Sequence, residues 1–198
     1  MFSTLSVPAQ TDAEYSAISS NQCSWCAVEF GLRRRDLIHA WTTRQTDEFL
    51  RIYKECLEVA SQKRKDLGTF LYGENIDSKN LLEHYGSQLD IAHKNTIRMH
   101  EDSEFINILH PDLASEFYTR SYADYVSLDE IVNRMPNNSF LLVSRHGQSL
   151  CVLRVHTNMF LILDSHLHIA TLSTKNDTMT HIRMDNGGHT HLTLLFCV

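Results

Sequence analysis

Apolar and polar positions follow two rhythms along this chain, and the rhythm changes at Pro136. Before it the period is helical. Phe49, Ile52, Tyr53, Cys56, Leu57 and Ala60 recur at three and four residues, giving one apolar stripe on a helix predicted within Thr43–Gln62. A shorter helix is predicted from about Asn21, with Ser19, Ser20 and Asn21 as cap types and Gly31 as its stop. "DSKNLLEHYG" reads as a helix opened by Asp77 or Ser78 and closed at Gly86. "SLDEIVNRMP" carries a capping box, Ser127 with Glu130, and Pro136 ends it. Residues 86 to 125 fit neither rhythm cleanly.

After Pro136 the run "SFLLVSRHGQSLCVLRVHTNMFLILDSHLHIATLS" is rich in Leu, Val, Ile and Phe and is punctuated at His146-Gly147 and Thr157-Asn158. It predicts three strands in a meander. "MTHIRM" and "HLTLLFCV" predict two more, joined across Asn186-Gly187-Gly188. Helices first and an antiparallel sheet second is an α+β pattern.

Composition narrows the function classes. The 198 residues suit one domain with a real core. The formal net charge of −6 argues against a general nucleic-acid binder, which presents a basic face. No apolar run approaches the length of a membrane span. The first residues, "MFSTLSVPAQT", lack the basic start and apolar stretch of a signal peptide. Five scattered cysteines, an odd number, point to free thiols in a reducing compartment, cytosolic or nuclear. The chain closes on the apolar "HLTLLFCV", so residues 1–198 are expected to be a single domain of a longer polypeptide.

The candidate chemistry begins at "SSNQCSWCAVEF". Cys23 and Cys26 give two thiolates, but a structural zinc needs four ligands and no second CxxC follows; His189 and His191 lack the expected spacing. A thioredoxin-like couple needs a preceding strand, and polar loop precedes Cys23 instead. Cys26, with Trp25, Ala27 and Phe30, fits the apolar side of a short helix. Cys23 falls at the helix start, where unpaired N–H groups and the helix dipole favour a thiolate. By position alone it fits core or nucleophile equally.

Partners for a nucleophile lie far along the chain. In "FLILDSHLHIA", Asp164 and His166 are two apart and are expected to project together from a strand. A carboxylate beside an imidazole fixes its tautomer and stabilises its charged form. His168 shares the parity and is a rival base among the 12 histidines. Gln10 and Gln22 are candidate oxyanion donors. Gln22 adjoins the cysteine and is expected to point away, whereas Gln10 sits in a loop that can fold back. The run Arg33-Arg34-Arg35 is expected to be a solvated helix end.

Together, "NQCSWCAVEF" and "LILDSHLHIA" resemble the cysteine protease domain of herpesvirus large tegument proteins, the tegument-like deubiquitinases. The resemblance implies a papain-like fold, with a helical lobe packed on a C-terminal antiparallel sheet. It implies Cys23 as nucleophile, His166 as general base, Asp164 as the orienting acid and Gln10 as oxyanion donor. Ubiquitin-fold-modifier proteases use a D-P-H at the corresponding place, where this chain has Ser165. The implied reaction is hydrolysis of an isopeptide after the C-terminal glycine of ubiquitin or polyubiquitin by a monomer, with no cofactor and no metal. Asp124, Asp129 and Glu130 are conceivable acidic contacts for a basic tail. Two other readings stand beside it: a protease for another ubiquitin-like modifier, and a binding module of the same fold in which Cys23 is inert.

Overall fold

A computed structural model describes residues 3–15, 22–66, 85, 96–99, 105–109, 125–127, 132–133, 135–145, 148–183 and 192–197. Its elements run β1 (Thr4–Ser6), α1 (Cys23–Leu32), α2 (Arg34–Thr42), α3 (Thr46–Asp66), β2 (Thr96–Met99), β3 (Phe105–Leu109), β4 (Tyr125–Ser127), β5 (Phe140–Arg145), β6 (Gln148–His156), β7 (Met159–Leu163), β8 (Ile169–Thr174), α4 (Lys175–Arg183) and β9 (Leu192–Cys197). The strands form one antiparallel sheet in the order β1-β8-β7-β6-β5-β9-β2-β3-β4. The chain is α+β.

The predicted stripe of α3 is buried at every position. Phe49, Ile52 and Leu57 each contribute roughly 1.5–3 kcal/mol when withdrawn from water. That face meets α1, which is buried on all sides from Cys23 to Gly31. A helix covered all round sits in the core, and α1 lies between α3 and the middle strands β5 and β6. Cys151, Leu153 and Val155 of β6 and Leu161 and Leu163 of β7 face it.

Helix α1 runs past Gly31 to Leu32. Gly31 is required for another reason: a Cβ there would run into the Phe140 ring, so its small size lets β5 approach the helix. The Nε of Arg34 donates to the Asn138 carbonyl at 2.6 Å, its Nη1 donates to the Gly31 carbonyl at 3.2 Å, and its guanidinium lies over Phe140. Arg33 pairs with Asp36 and Glu55. Two of the three arginines therefore hold elements together, while Arg35 is exposed. The residue before α1 is Gln22, not a Ser or Asn cap; Ser19, Ser20 and Asn21 lie outside the described residues.

Three further expectations are corrected. "MTHIRM" falls on α4 rather than a strand, as far as Arg183. Thr174 caps that helix by accepting from the Asp177 N–H and donating to its carboxylate at 2.7 Å, and Met179 and Ile182, one helical turn apart, are buried. The stretch from Met159 to Ser173 is two strands, not one, because the chain turns at Asp164–His168. Ser127 ends β4 rather than capping a helix, although Val132 and Asn133 ahead of Pro136 are helical. The sheet also takes β2, β3 and β4 from the stretch with no clear rhythm. The predicted helix at Asp77–Gly86, apart from Tyr85, and the turns at His146-Gly147 and Asn186–Gly188 lie outside the described residues.

Candidate active site

Two neighbouring structures bring the N-terminal loop to the turn after β7. Strand β1 pairs with β8, Ser6 opposite Ile169. The pairing continues off the strand end: the Val7 N–H donates to the His168 carbonyl at 3.1 Å, and the Gln10 N–H to the Ser165 carbonyl at 2.7 Å. This zipper lays Gln10 on the turn.

The turn itself is built by Asp164. Its Oδ1 accepts from the His166 backbone N–H at 2.9 Å, and its carbonyl accepts from the Leu167 N–H at 3.1 Å. A carboxylate bonding the backbone two residues on is an Asx turn. That competition with ladder pairing is why Asp164 and His166 leave the strand, contrary to the expectation that they project from one. They are nonetheless joined, with His166 Nδ1 3.0 Å from Asp164 Oδ1. Asp164 is buried and the His166 side chain is 21% exposed.

Cys23 opens α1 and meets the imidazole. The His166 side chain is hydrogen-bonded by Asp164 and by Cys23, and these bonds raise its pKa from 6.5 to about 9, against an opposing effect of partial burial. His166 is therefore biased to the imidazolium at neutral pH. The start of α1 has no side-chain cap, so helix N–H groups are directed at this end of the site. Cys23 is buried, with 2% of its surface exposed, and His166 is the more open member of the pair.

The other residues weighed from sequence separate clearly. Cys26 lies fully inside the core, and burial pushes its thiol well above the usual range. His168 is on the surface, 2.9 Å from Asp12, and that bond is the chief cause of a lowered Asp12 pKa. Gln22 turns its side chain to the loop, donating to the carbonyls of Gln10 and Tyr15. Gln10 is buried, and its Oε1 accepts from Ser165 Oγ at 2.9 Å and from Cys26 Sγ at 3.8 Å. The structure thus gathers Cys23, His166, Asp164 and Gln10 about one turn and one helix start. Sequence reading noted Ser165 only as the residue between Asp164 and His166 and gave it no partner; here it meets Gln10. Asp124, Asp129, Glu130, His189 and His191 lie outside the described residues. Among the described residues no group of three or more His, Cys, Asp or Glu side chains is arranged to hold a metal ion, and no helix is long and apolar enough to cross a membrane.

No protein-family model matches the chain, and no curated protein matches it significantly. Among solved structures it is similar to a ubiquitin-specific protease encoded by a murine cytomegalovirus tegument protein, solved in complex with a ubiquitin-based suicide substrate. The likeness covers 98% of this chain and 85% of that one, with a TM-score of 0.53 at 10% identity. At that identity the shared property is the fold.

Proposed function

We propose that this chain is a papain-like cysteine protease that hydrolyses isopeptide bonds after the C-terminal glycine of ubiquitin. One observation carries the reading: His166 is hydrogen-bonded at once to the Asp164 carboxylate two residues before it and to the Cys23 thiol, which lies far away in sequence. A nucleophile, a base and an orienter in that order are what thiol acyl transfer needs. The fold likeness to a ubiquitin-specific protease supports the substrate class.

The Cys23 sulfur, its proton passed to His166, attacks the glycine carbonyl carbon. The carbonyl electrons move to oxygen, and the Gln10 amide with the N–H groups at the start of α1 stabilises that oxyanion. The intermediate collapses, the C–N bond breaks, and His166 gives its proton to the departing lysine amine. A thioester remains on Cys23. Water, deprotonated by His166, attacks it and releases the ubiquitin carboxylate and the free thiol. Cys23 is nearly covered, so the substrate must present a slim, extended end beside His166. A tail closing on two glycines has that shape. The mechanism needs a reduced thiol and so a reducing compartment, cytosolic or nuclear; Cys23, Cys26, Cys56 and Cys151 carry no disulfide.

The test is turnover of a ubiquitin C-terminal fluorogenic amide. Wild-type protein is expected to cleave it, and Cys23→Ala to be inactive while melting as wild type does. A wild type that cleaves only another modifier's amide would replace the substrate. A folded wild type that cleaves none would leave a binding module.

A further inference from the structure

The residue between the acid and the base has a partner that neither of those roles requires. Ser165 is 1% exposed, and its hydroxyl donates to Gln10 Oε1 at 2.9 Å. Its carbonyl accepts from the Gln10 backbone N–H at 2.7 Å. Ser165 and Gln10 are therefore clasped twice, once through backbone and once through side chains. A third element joins them, since Cys26 Sγ on α1 donates to the same Oε1 at 3.8 Å. Sulfur is a weak donor, so the hydroxyl dominates.

The chemistry of that clasp gives it a direction. A glutamine amide has an accepting end and a donating end, and a half-turn about its last torsion exchanges them. Held by donors at Oε1, the amide keeps its NH2 on the opposite branch. Turned over, it would set an oxygen lone pair where a donor is needed, and a developing oxyanion would meet repulsion in place of a hydrogen bond. The same turn carries Asp164 and His166, so the clasp also ties the position of Gln10 to that of the base.

We propose that Ser165 is a positioning residue that orients the Gln10 amide for the oxyanion, acting through Gln10 and not through His166. This rests on the protease reading above, with Gln10 as oxyanion donor. Cys26 completes the clasp from below, which gives the second cysteine of the motif a role without making it reactive.

The test is a double-mutant cycle read in kcat, KM and pH profile with the ubiquitin C-terminal amide. Gln10→Ala is expected to lower kcat by about 100-fold, the scale of one lost oxyanion donor. Ser165→Ala should lower kcat by about tenfold, a fraction of that loss, with KM little changed. In the Gln10→Ala background, Ser165→Ala should cost nothing further, within about twofold. Ser165→Thr, which keeps the hydroxyl, should recover most of the rate. The pH profile of Ser165→Ala should match wild type, because the base is untouched. Equal losses in both backgrounds, or a shifted pH profile, overturn the proposal and leave the protease reading standing. A Ser165→Ala protein that is merely destabilised gives the first of those outcomes. A folded wild type with no turnover of the amide removes both.

Discussion

The two ends of α1 each bury an acid against a cationic partner, and they are built for different ends. Near the C-terminal end, Glu29 is 2.7 Å from Lys63 Nζ and accepts from the Tyr85 hydroxyl at 2.8 Å. Lys63 lies over the Tyr85 ring, and Tyr85 packs on Trp25. That cluster is an ion pair set on aromatic rings, with 25% of the Lys63 side chain open to solvent. At the N-terminal end the acid is Asp164, the partner is His166, and a third group, the Cys23 thiol, shares the imidazole. There the histidine keeps 21% of its side chain open. Burial of charge alone thus marks no active site, because both clusters have it. Exposure does not separate them either; what does is a histidine whose pKa is raised by hydrogen bonds to an acid and to a thiol.

That contrast can be broken by substitution. His166→Ala should reduce turnover of the ubiquitin amide by at least about 1,000-fold per folded molecule, whatever stability is lost with the bond to Asp164. Loss of stability without loss of rate per folded molecule would make this end structural like the other. Asp164→Asn should lower kcat by about 100-fold and move the alkaline limb of the pH profile down from about 9 toward 6.5. The sign follows from the bond to Asp164, which is the largest cause of the raised pKa. By linkage, the contribution of His166 to folding is full below pH 6.5 and is lost as pH rises through about 9. Glu29→Ala should cost stability alone. Unfolding in urea is expected to show about 3 kcal/mol lost, because Lys63 and the Tyr85 hydroxyl lose the buried carboxylate they share, with kcat unchanged. Gly31→Ala should cost about 2 kcal/mol through the clash with Phe140, again measured in urea and again without effect on kcat. The smallest effect is expected for His168→Ala. Its surface pair with Asp12 helps hold the N-terminal loop, so the melting temperature should fall slightly, and high salt should erase the difference.

Much of this was legible in the chain, for reasons that particular residues make plain. The stripe from Phe49 to Ala60 announced α3 because burial on one face imposes the helical period. Cys23 and Cys26 differ by position: the first residue of a helix faces its open N–H groups, and the fourth turns into the core. Where reading failed, a local side-chain bond outweighed the pattern. Asp164 pulled its own turn out of a strand-like run, and Thr174 with Asp177 capped a helix over residues that read as β. Gly31 looked like a stop because glycine often is one; its use here, to admit the Phe140 ring, depends on a residue more than a hundred positions away. Ser165 carried no rhythm at all. Its meaning arises only when β1 brings Gln10 alongside, a pairing that no local signal encodes.

The central claim is that the sulfur at position 23 is the group that a ubiquitin tail reaches. Ubiquitin bearing a C-terminal electrophile, followed by mass spectrometry of the peptides, tests it directly. The adduct is expected on Cys23 alone, and not at all after Cys23→Ala. An adduct on Cys26, or none on a folded wild-type protein, would contradict the account.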